Sequence, residues 1–218
     1  MKKIDILGIG CGGHAKVLLD ILNDYDEYNI VGLITPSSEN TKNKCNIPVI
    51  GNDDDLPRFF NEGVKNVFIG FSSLKSSIIN KNMYNNLIKI GFNVINVIHT
   101  TSMISDNVNI KNGVKIMAGS IINPSVKLGN NTIINTGAVI EHDCLIEDHV
   151  QIAPGTVMGG NVFVGEGTFI GLGARIIENI KIGKYSYIAA GSIVTSDVDD
   201  EIMVAGVPAV FKKKWLKF

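Results

Sequence analysis

Ile134-Asn135-Thr136-Gly137-Ala138-Val139-Ile140-Glu141-His142-Asp143-Cys144-Leu145-Ile146 is the stretch from which the fold can be read. Its isoleucines at 134, 140 and 146 are six apart, and the spacing continues in both directions. Upstream it meets Leu128, Ile122, Ile116, Ile110 and Ile104. Downstream it meets Ile152, Met158, Val164, Ile170, Ile176, Ile182, Ile188 and Val194. Sixteen aliphatic residues in one unbroken frame are a structural repeat.

The other positions of each hexad agree. Four residues after each aliphatic anchor stands a small or β-branched residue, such as Ala138, Cys144, Val150 and, at the end, Val198. Three residues after it stands Gly, Asn or Asp in thirteen of sixteen cases, the exceptions being Ser125, His149 and Tyr185. Gly, Asn and Asp tolerate a left-handed backbone. Each hexad is therefore a short strand and a corner, with anchor and small residue pointing inward. Three such corners close a triangular coil, and stacked coils make a left-handed parallel β-helix. Equivalent corners should then recur every three hexads, and Gly119, Gly137, Gly155, Gly173 and Gly191 do so. The β-helix is expected over residues 101–218, with Asp199–Phe218 as its C-terminal cap.

The first 100 residues have a different rhythm. Strands are expected at residues 3–8, 31–34, 66–69 and 93–98, and helices at 15–22, near 54–62 and at 75–90. This is a small Rossmann-like α/β unit. Gly8-x-Gly10-x-x-Gly13 opens its first helix. An acidic residue about 20 positions on, which a dinucleotide site wants, is replaced by Ile34-Thr35, and no second βαβ half follows. The glycines then either offer backbone N–H groups to a phosphate at a helix N-terminus or serve close packing alone.

The chain has 218 residues, 45% hydrophobic and 19% charged, with a net charge of −1. No basic field points to nucleic acid or a membrane surface. The opening MKKIDILGIGCGG reads as a strand running into a glycine loop rather than a secretory leader. Three widely spaced cysteines, Cys11, Cys45 and Cys144, fit free thiols in a reducing cytoplasm.

Four histidines could carry chemistry. His142 points outward beside a corner, next to Asp143. It is either a general base or a solvated surface histidine. His149 fills a corner slot that its backbone conformation explains, His99 marks the domain junction, and His14 follows the glycine loop. His142 and His149 occupy different offsets and do not stack, so no metal is expected. Cys144 occupies the inward small-residue slot, which makes it a packed thiol and not a nucleophile. The basic tail Lys212–Lys217 is either a solvated end or a contact for coenzyme A phosphates.

The hexads, Gly10-Cys11-Gly12-Gly13-His14, the stretch Asn135–Cys144 and Gly206-Val207-Pro208-Ala209 together resemble the NeuD/PglD-type sugar acetyltransferases. The resemblance covers nearly the whole chain. It implies an acetyl-CoA-dependent N-acetyltransferase acting on the 4-amino group of a nucleotide-linked 4-amino-4,6-dideoxy sugar, assembled as a homotrimer. His142 would be the general base, Asp143 its carboxylate partner, and Asn135 would help place the reacting groups. Gly160, Gly171 and Leu172 would line the acetyl-CoA groove, and Gly12, Gly13 and His14 would hold the sugar nucleotide. Thr35 and Ser72, following the second and third strands, complete the expected substrate set. The resemblance would place Gln151 near the acetyl group, where the family often has histidine; glutamine can donate a hydrogen bond but cannot carry a proton. The alternatives are an O-acetyltransferase of a sialic-acid-like sugar, a zinc lyase of the carbonic anhydrase type and a non-catalytic scaffold.

Overall fold

The computed structural model describes residues 3–36, 45–72 and 77–215. The chain forms two compact units: residues 1–73 with 82–97, and residues 74–81 with 98–218.

The first unit is a parallel sheet flanked by helices. Its elements are β1 (Ile4–Ile9), α1 (Gly13–Leu22), β2 (Tyr28–Thr35), β3 (Val49–Asn52), α2 (Leu56–Asn61), β4 (Asn66–Ile69), α3 (Ser77–Ile90), of which residues 77–81 belong to the second unit, and β5 (Asn93–Val94). The sheet order is β3-β2-β1-β4-β5, and every pair is parallel. The chain winds outward from β1 through β2 to β3 and then returns to β1's other side at β4. A ligand crevice is expected at the carboxyl ends of β1 and β4, where this reversal falls. Leu7, Ile9, Ile34, Val67 and Ile69 are buried in the core between sheet and helices. Strand β3 was not expected. It is a four-residue edge strand on a partly exposed face, with a glycine inside it, and carries little pattern.

The expected fourth strand over 93–98 splits in two. Asn93–Val94 pairs with β4, whereas Val97–Ile98, here β6, joins the β-helix beside Lys115–Ile116. The reason was visible in the frame: Ile98 lies six residues before Ile104 and is one more anchor.

From β6 to β22 (Ile193–Val194) the second unit is a run of two-residue strands. They stack into three parallel faces with partners 18 residues apart, as in Ile122↔Ile140 and Ile140↔Met158. Face one carries Lys115, Ile133, Gln151, Phe169 and Tyr187 outward. Face two carries Met103, Ile121, Val139, Val157, Arg175 and Ile193. Face three carries Asn109, Lys127, Leu145, Phe163 and Lys181. Inside, anchors from Ile116 to Val194 form one continuous buried column. Every third-place corner residue from Gly113 to Gly191 has a positive φ, including Ser125, His149 and Tyr185, which break the Gly/Asn/Asp rule. The coil geometry thus overrides residue preference at these three sites.

The repeat ends by losing two residues. Val198 bridges Ile182, and Val204 pairs with Ile188, each 16 residues on instead of 18. Val198 therefore stands at anchor level rather than in the small-residue slot that its frame implied. Strand β23 (Ile202–Ala205) extends face one, and β24 (Val210–Lys214) folds back antiparallel along it. Trp215 packs on Tyr187 with centroids 4.5 Å apart, so Lys212–Lys214 belong to a sheet edge, while Leu216 and Lys217 lie outside the described residues. Among the described residues no helix is long and apolar enough to cross a membrane.

Candidate active site

In the first unit the expected substrate residues gather at the carboxyl ends of the strands. Gly12, Gly13 and His14 follow β1, Thr35 ends β2 and Ser72 follows β4. The glycines of the loop divide by function. A Cβ on Gly8 would strike Leu33 and Phe68, and Gly10 has a φ of +102°. Those two are explained by packing and backbone. Gly12 and Gly13 face open space: an added Cβ would meet nothing within 4 Å. Gly12 is the N-cap of α1, and no side chain caps that end. The start of a helix with open space beside its first two glycines suits an anion.

In the second unit His142 and Asp143 occupy the edge between faces two and three. His142 Nδ1 lies 2.8 Å from Asp143 Oδ2, and the side chains are 61% and 58% exposed. A carboxylate can only accept, so this bond holds the proton on Nδ1 and leaves Nε2 as the basic nitrogen. The corner at Asp143, with φ +62°, turns its carboxylate back onto the imidazole. Gly160, one coil further on, lies beneath the ring: a Cβ there would come within 2.7 Å of His142 Nε2.

Cys144 is 1% exposed, and its thiol lies 3.2 Å from the Gly159 carbonyl, to which it donates. Burial pushes this thiol up to about 11. At neutral pH it is neither ionised nor accessible, which agrees with its inward slot.

The remaining expected residues are not beside His142 within one chain. Asn135, Gly171 and Leu172 lie on the edge between faces one and two, across the width of face two from His142. Gly171 has a structural reason to be glycine, because a Cβ would strike Ala190 N at 2.6 Å in the next coil. Leu172 is 58% exposed and free to meet another molecule. Gln151 stands on face one and is buried.

The third edge holds a polar cluster that sequence reasoning missed. Lys115 Nζ donates to Asn131 Oδ1 at 2.5 Å, and Asn131 Nδ2 lies 3.1 Å from His149 Nδ1 and 3.4 Å from the Asn80 carbonyl. Lys81 pairs with Glu166 at 2.6 Å and donates to Tyr185 Oη at 2.9 Å. Burial alone pulls the Lys115 amine down to about 7. Burial also lowers His149, against the opposing pull of Asp148 and Glu166. Among the described residues no group of three His, Cys, Asp or Glu could hold a metal ion.

Comparison with known proteins agrees with this architecture. Residues 5–85 match the family model of the PglD N-terminal domain, and residues 107–142 and 125–160 match that of the bacterial transferase hexapeptide, six repeats. A histidine-to-asparagine variant of perosamine N-acetyltransferase from Caulobacter crescentus, solved with CoA and GDP-perosamine, is 32% identical, with 96% of this chain and 97% of that one covered and a TM-score of 0.90. The acetyltransferase domain of PglB from Neisseria gonorrhoeae, solved with acetyl coenzyme A, is 26% identical, covering 96% of this chain and all of its own, with a TM-score of 0.84. WeeI from Acinetobacter baumannii, at 24% identity over 95% of this chain and 100% of that one, shares the fold with a TM-score of 0.82. Comparison with curated proteins returned no match. With a relative 32% identical over 96% of this chain, the chain belongs to the NeuD/PglD-type sugar acetyltransferases and is an acyltransferase of the hexapeptide-repeat class.

Proposed function

We propose that this protein transfers the acetyl group of acetyl-CoA to the 4-amino group of a nucleotide-linked 4-amino-4,6-dideoxy sugar, for surface polysaccharide or glycan synthesis in the cytoplasm. The observation that carries the reading is the His142–Asp143 pair at 2.8 Å, with Nε2 left basic on an exposed edge. The amine nitrogen attacks the thioester carbonyl and forms the N–C bond while Nε2 takes its proton. The C–S bond breaks, and the thiolate leaves and is protonated as CoA. Asp143 stabilises the imidazolium formed in between. Cys144, buried and un-ionised, supports direct transfer over an acyl-enzyme. The open front of Gly12 and Gly13 supports a phosphate-bearing acceptor at the start of α1, with His14, Thr35 and Ser72 around it. That solved relatives hold CoA with GDP-perosamine, and acetyl coenzyme A, favours N-acetylation of an activated amino sugar.

The site is completed by a second copy of the chain, in a homotrimer. Face two is apolar at Met103, Ile121, Val139, Val157 and Ile193, and it lies between the edge bearing His142 and the edge bearing Asn135, Gly171 and Leu172. Copies packed through such faces bring opposite edges together, which one chain cannot do. Acetyl-CoA then lies between the two edges, with Gln151 supplied by a face rather than by the His142 corner.

The test is a panel of nucleotide amino sugars assayed with acetyl-CoA for thiol release and amide product. Release with no sugar in the panel, or an ester product, overturns the reading. Gly13→Val should raise KM for the sugar nucleotide and leave that for acetyl-CoA nearly unchanged, since a Cβ there meets nothing within 4 Å in the chain itself. Equal effects on both would make the loop structural only. A monomer in sedimentation at micromolar concentration with activity retained would remove the shared site.

A further inference from the structure

Glycines in the β-helix occur for separable reasons. Those at the third place after an anchor, such as Gly137 and Gly155, have a positive φ. Those at the first place, such as Gly159, Gly165, Gly171 and Gly183, lie over the next coil, where a Cβ would strike backbone or an aspartate at 2.4–2.7 Å. Gly160 fits neither class. It stands at the second place after its anchor, Met158. In the sixteen hexads from Ile104 it is the one glycine at that place; the others there include Pro124, Thr136, His142, Glu166, Leu172 and Glu178. Its φ is not in the left-handed range, so its backbone suits any residue, and none of the three atoms nearest to an added Cβ is backbone. The three atoms that a Cβ at 160 would meet first all belong to the His142 ring, at 2.7 Å from Cε1, 2.7 Å from Nε2 and 3.2 Å from Nδ1. Contact with three ring atoms at once means that the imidazole lies flat over the bare Cα.

We propose that Gly160 is a positioning residue for His142: its missing side chain is the seat on which the catalytic imidazole rests. The inference rests on His142 being the general base. An imidazole on a corner that is 61% exposed has few neighbours to hold it. Asp143 fixes one nitrogen, but a single hydrogen bond leaves the ring free to swing about it. A flat floor beneath the ring removes that freedom, so Nε2 is presented in one direction. A proton acceptor must be aligned within hydrogen-bond reach of its donor, and a shift of about 1 Å can cost about 100-fold. A methyl at 160 displaces a side chain rather than backbone, so the coil survives and the ring moves.

The test is a double-mutant cycle of Gly160→Ala with His142→Ala, read as kcat, with NMR of the imidazole in the free enzyme. Gly160→Ala alone should lower kcat at least 10-fold. In the His142→Ala background it should change kcat by less than about twofold, because nothing is left to position. Any loss of Tm in the single variant should also disappear in the double variant, since the ring no longer occupies the space. The nitrogen shifts of His142 should report one tautomer, protonated on Nδ1, in the wild type and averaged tautomers in Gly160→Ala. Losses that multiply in the double variant would mean that Gly160 acts independently of the ring, and would overturn the proposal. So would unchanged imidazole nitrogen shifts in Gly160→Ala. If His142→Ala stays within threefold of wild type, the general-base reading fails, and the NMR comparison still decides whether Gly160 seats the ring.

Discussion

Two edges of the same β-helix each carry a histidine, seven residues apart, and the two have opposite environments. His142 is 61% exposed, bonded to one carboxylate, with a nitrogen open to solvent. His149 is 5% exposed and stands among Lys115, Asn131, Lys81 and Glu166. Both edges are built from the same hexad and both place a positive-φ residue at the corner, Asp143 in one and His149 in the other. The difference is the histidine's place in its hexad and what reaches the edge from elsewhere. At the second place, before the turn, the side chain projects outward with only the next coil below it. At the turn itself the side chain lies along the edge, where the segment 77–81 approaches. A regular scaffold thus makes an exposed histidine and a buried one by a shift of one residue.

The largest effect expected from this contrast is on turnover. His142→Ala or His142→Asn should lower kcat by about 10²–10⁴-fold with binding of both substrates largely intact. Steady-state kinetics check it, and a value for His142→Asn within threefold of wild type would erase the contrast.

Acid should act on the other edge. The Lys115 amine sits at about 7 in the fold against an ordinary 10.5, so between those values the unfolded chain binds a proton that the folded chain does not. Stability should therefore rise as the pH climbs from about 7 toward 10 and fall on the way back. His149 is also lowered by burial and adds the same sign below its ordinary 6.5. Thermal unfolding across this range checks the slope. Lys115→Met should flatten its alkaline part, because the titrating group is gone; an unchanged slope would place the cause elsewhere.

A smaller effect is expected from His149→Ala. It removes one of the two acceptors of Asn131 Nδ2 and puts alanine at a φ of +63°. A loss of about 1–3 kcal/mol of stability follows from a buried partner left unpaired. Turnover should change far less than for His142→Ala, and equal damage to kcat would merge the two edges into one site. Asparagine at 149, which accepts the left-handed corner, should recover part of the stability.

The smallest effect belongs to Cys144, which lies between the two histidines in the chain but inside the coil. Cys144→Ala should keep turnover within about threefold, since its thiol is neither ionised nor accessible. A hundredfold loss without unfolding would revive an acyl-enzyme.

The sequence by itself determined the coil. A period of six is a local property, and stacking every 18 residues follows from it, so anchors, corners, the inward slot of Cys144 and the outward slot of His142 were legible from residue spacing. The same frame contains Ile98, one hexad before Ile104. Other features depended on what faces what across the fold. Lys115 stands in an outward slot like Lys127 and Lys181, yet it is buried and they are exposed. The segment 77–81 and Asn131 meet at its edge, and nothing local to residue 115 announces them. Gln151 and His142 are nine residues apart, half of one 18-residue coil, so the triangle sends them to a face and an edge that do not meet. The unusual place of Gly160 in its hexad is legible in the spacing, but the imidazole that lies above it is seen only in the fold. Spacing along the chain dictates which way a side chain points; what it then touches is decided by chain segments that the spacing cannot see.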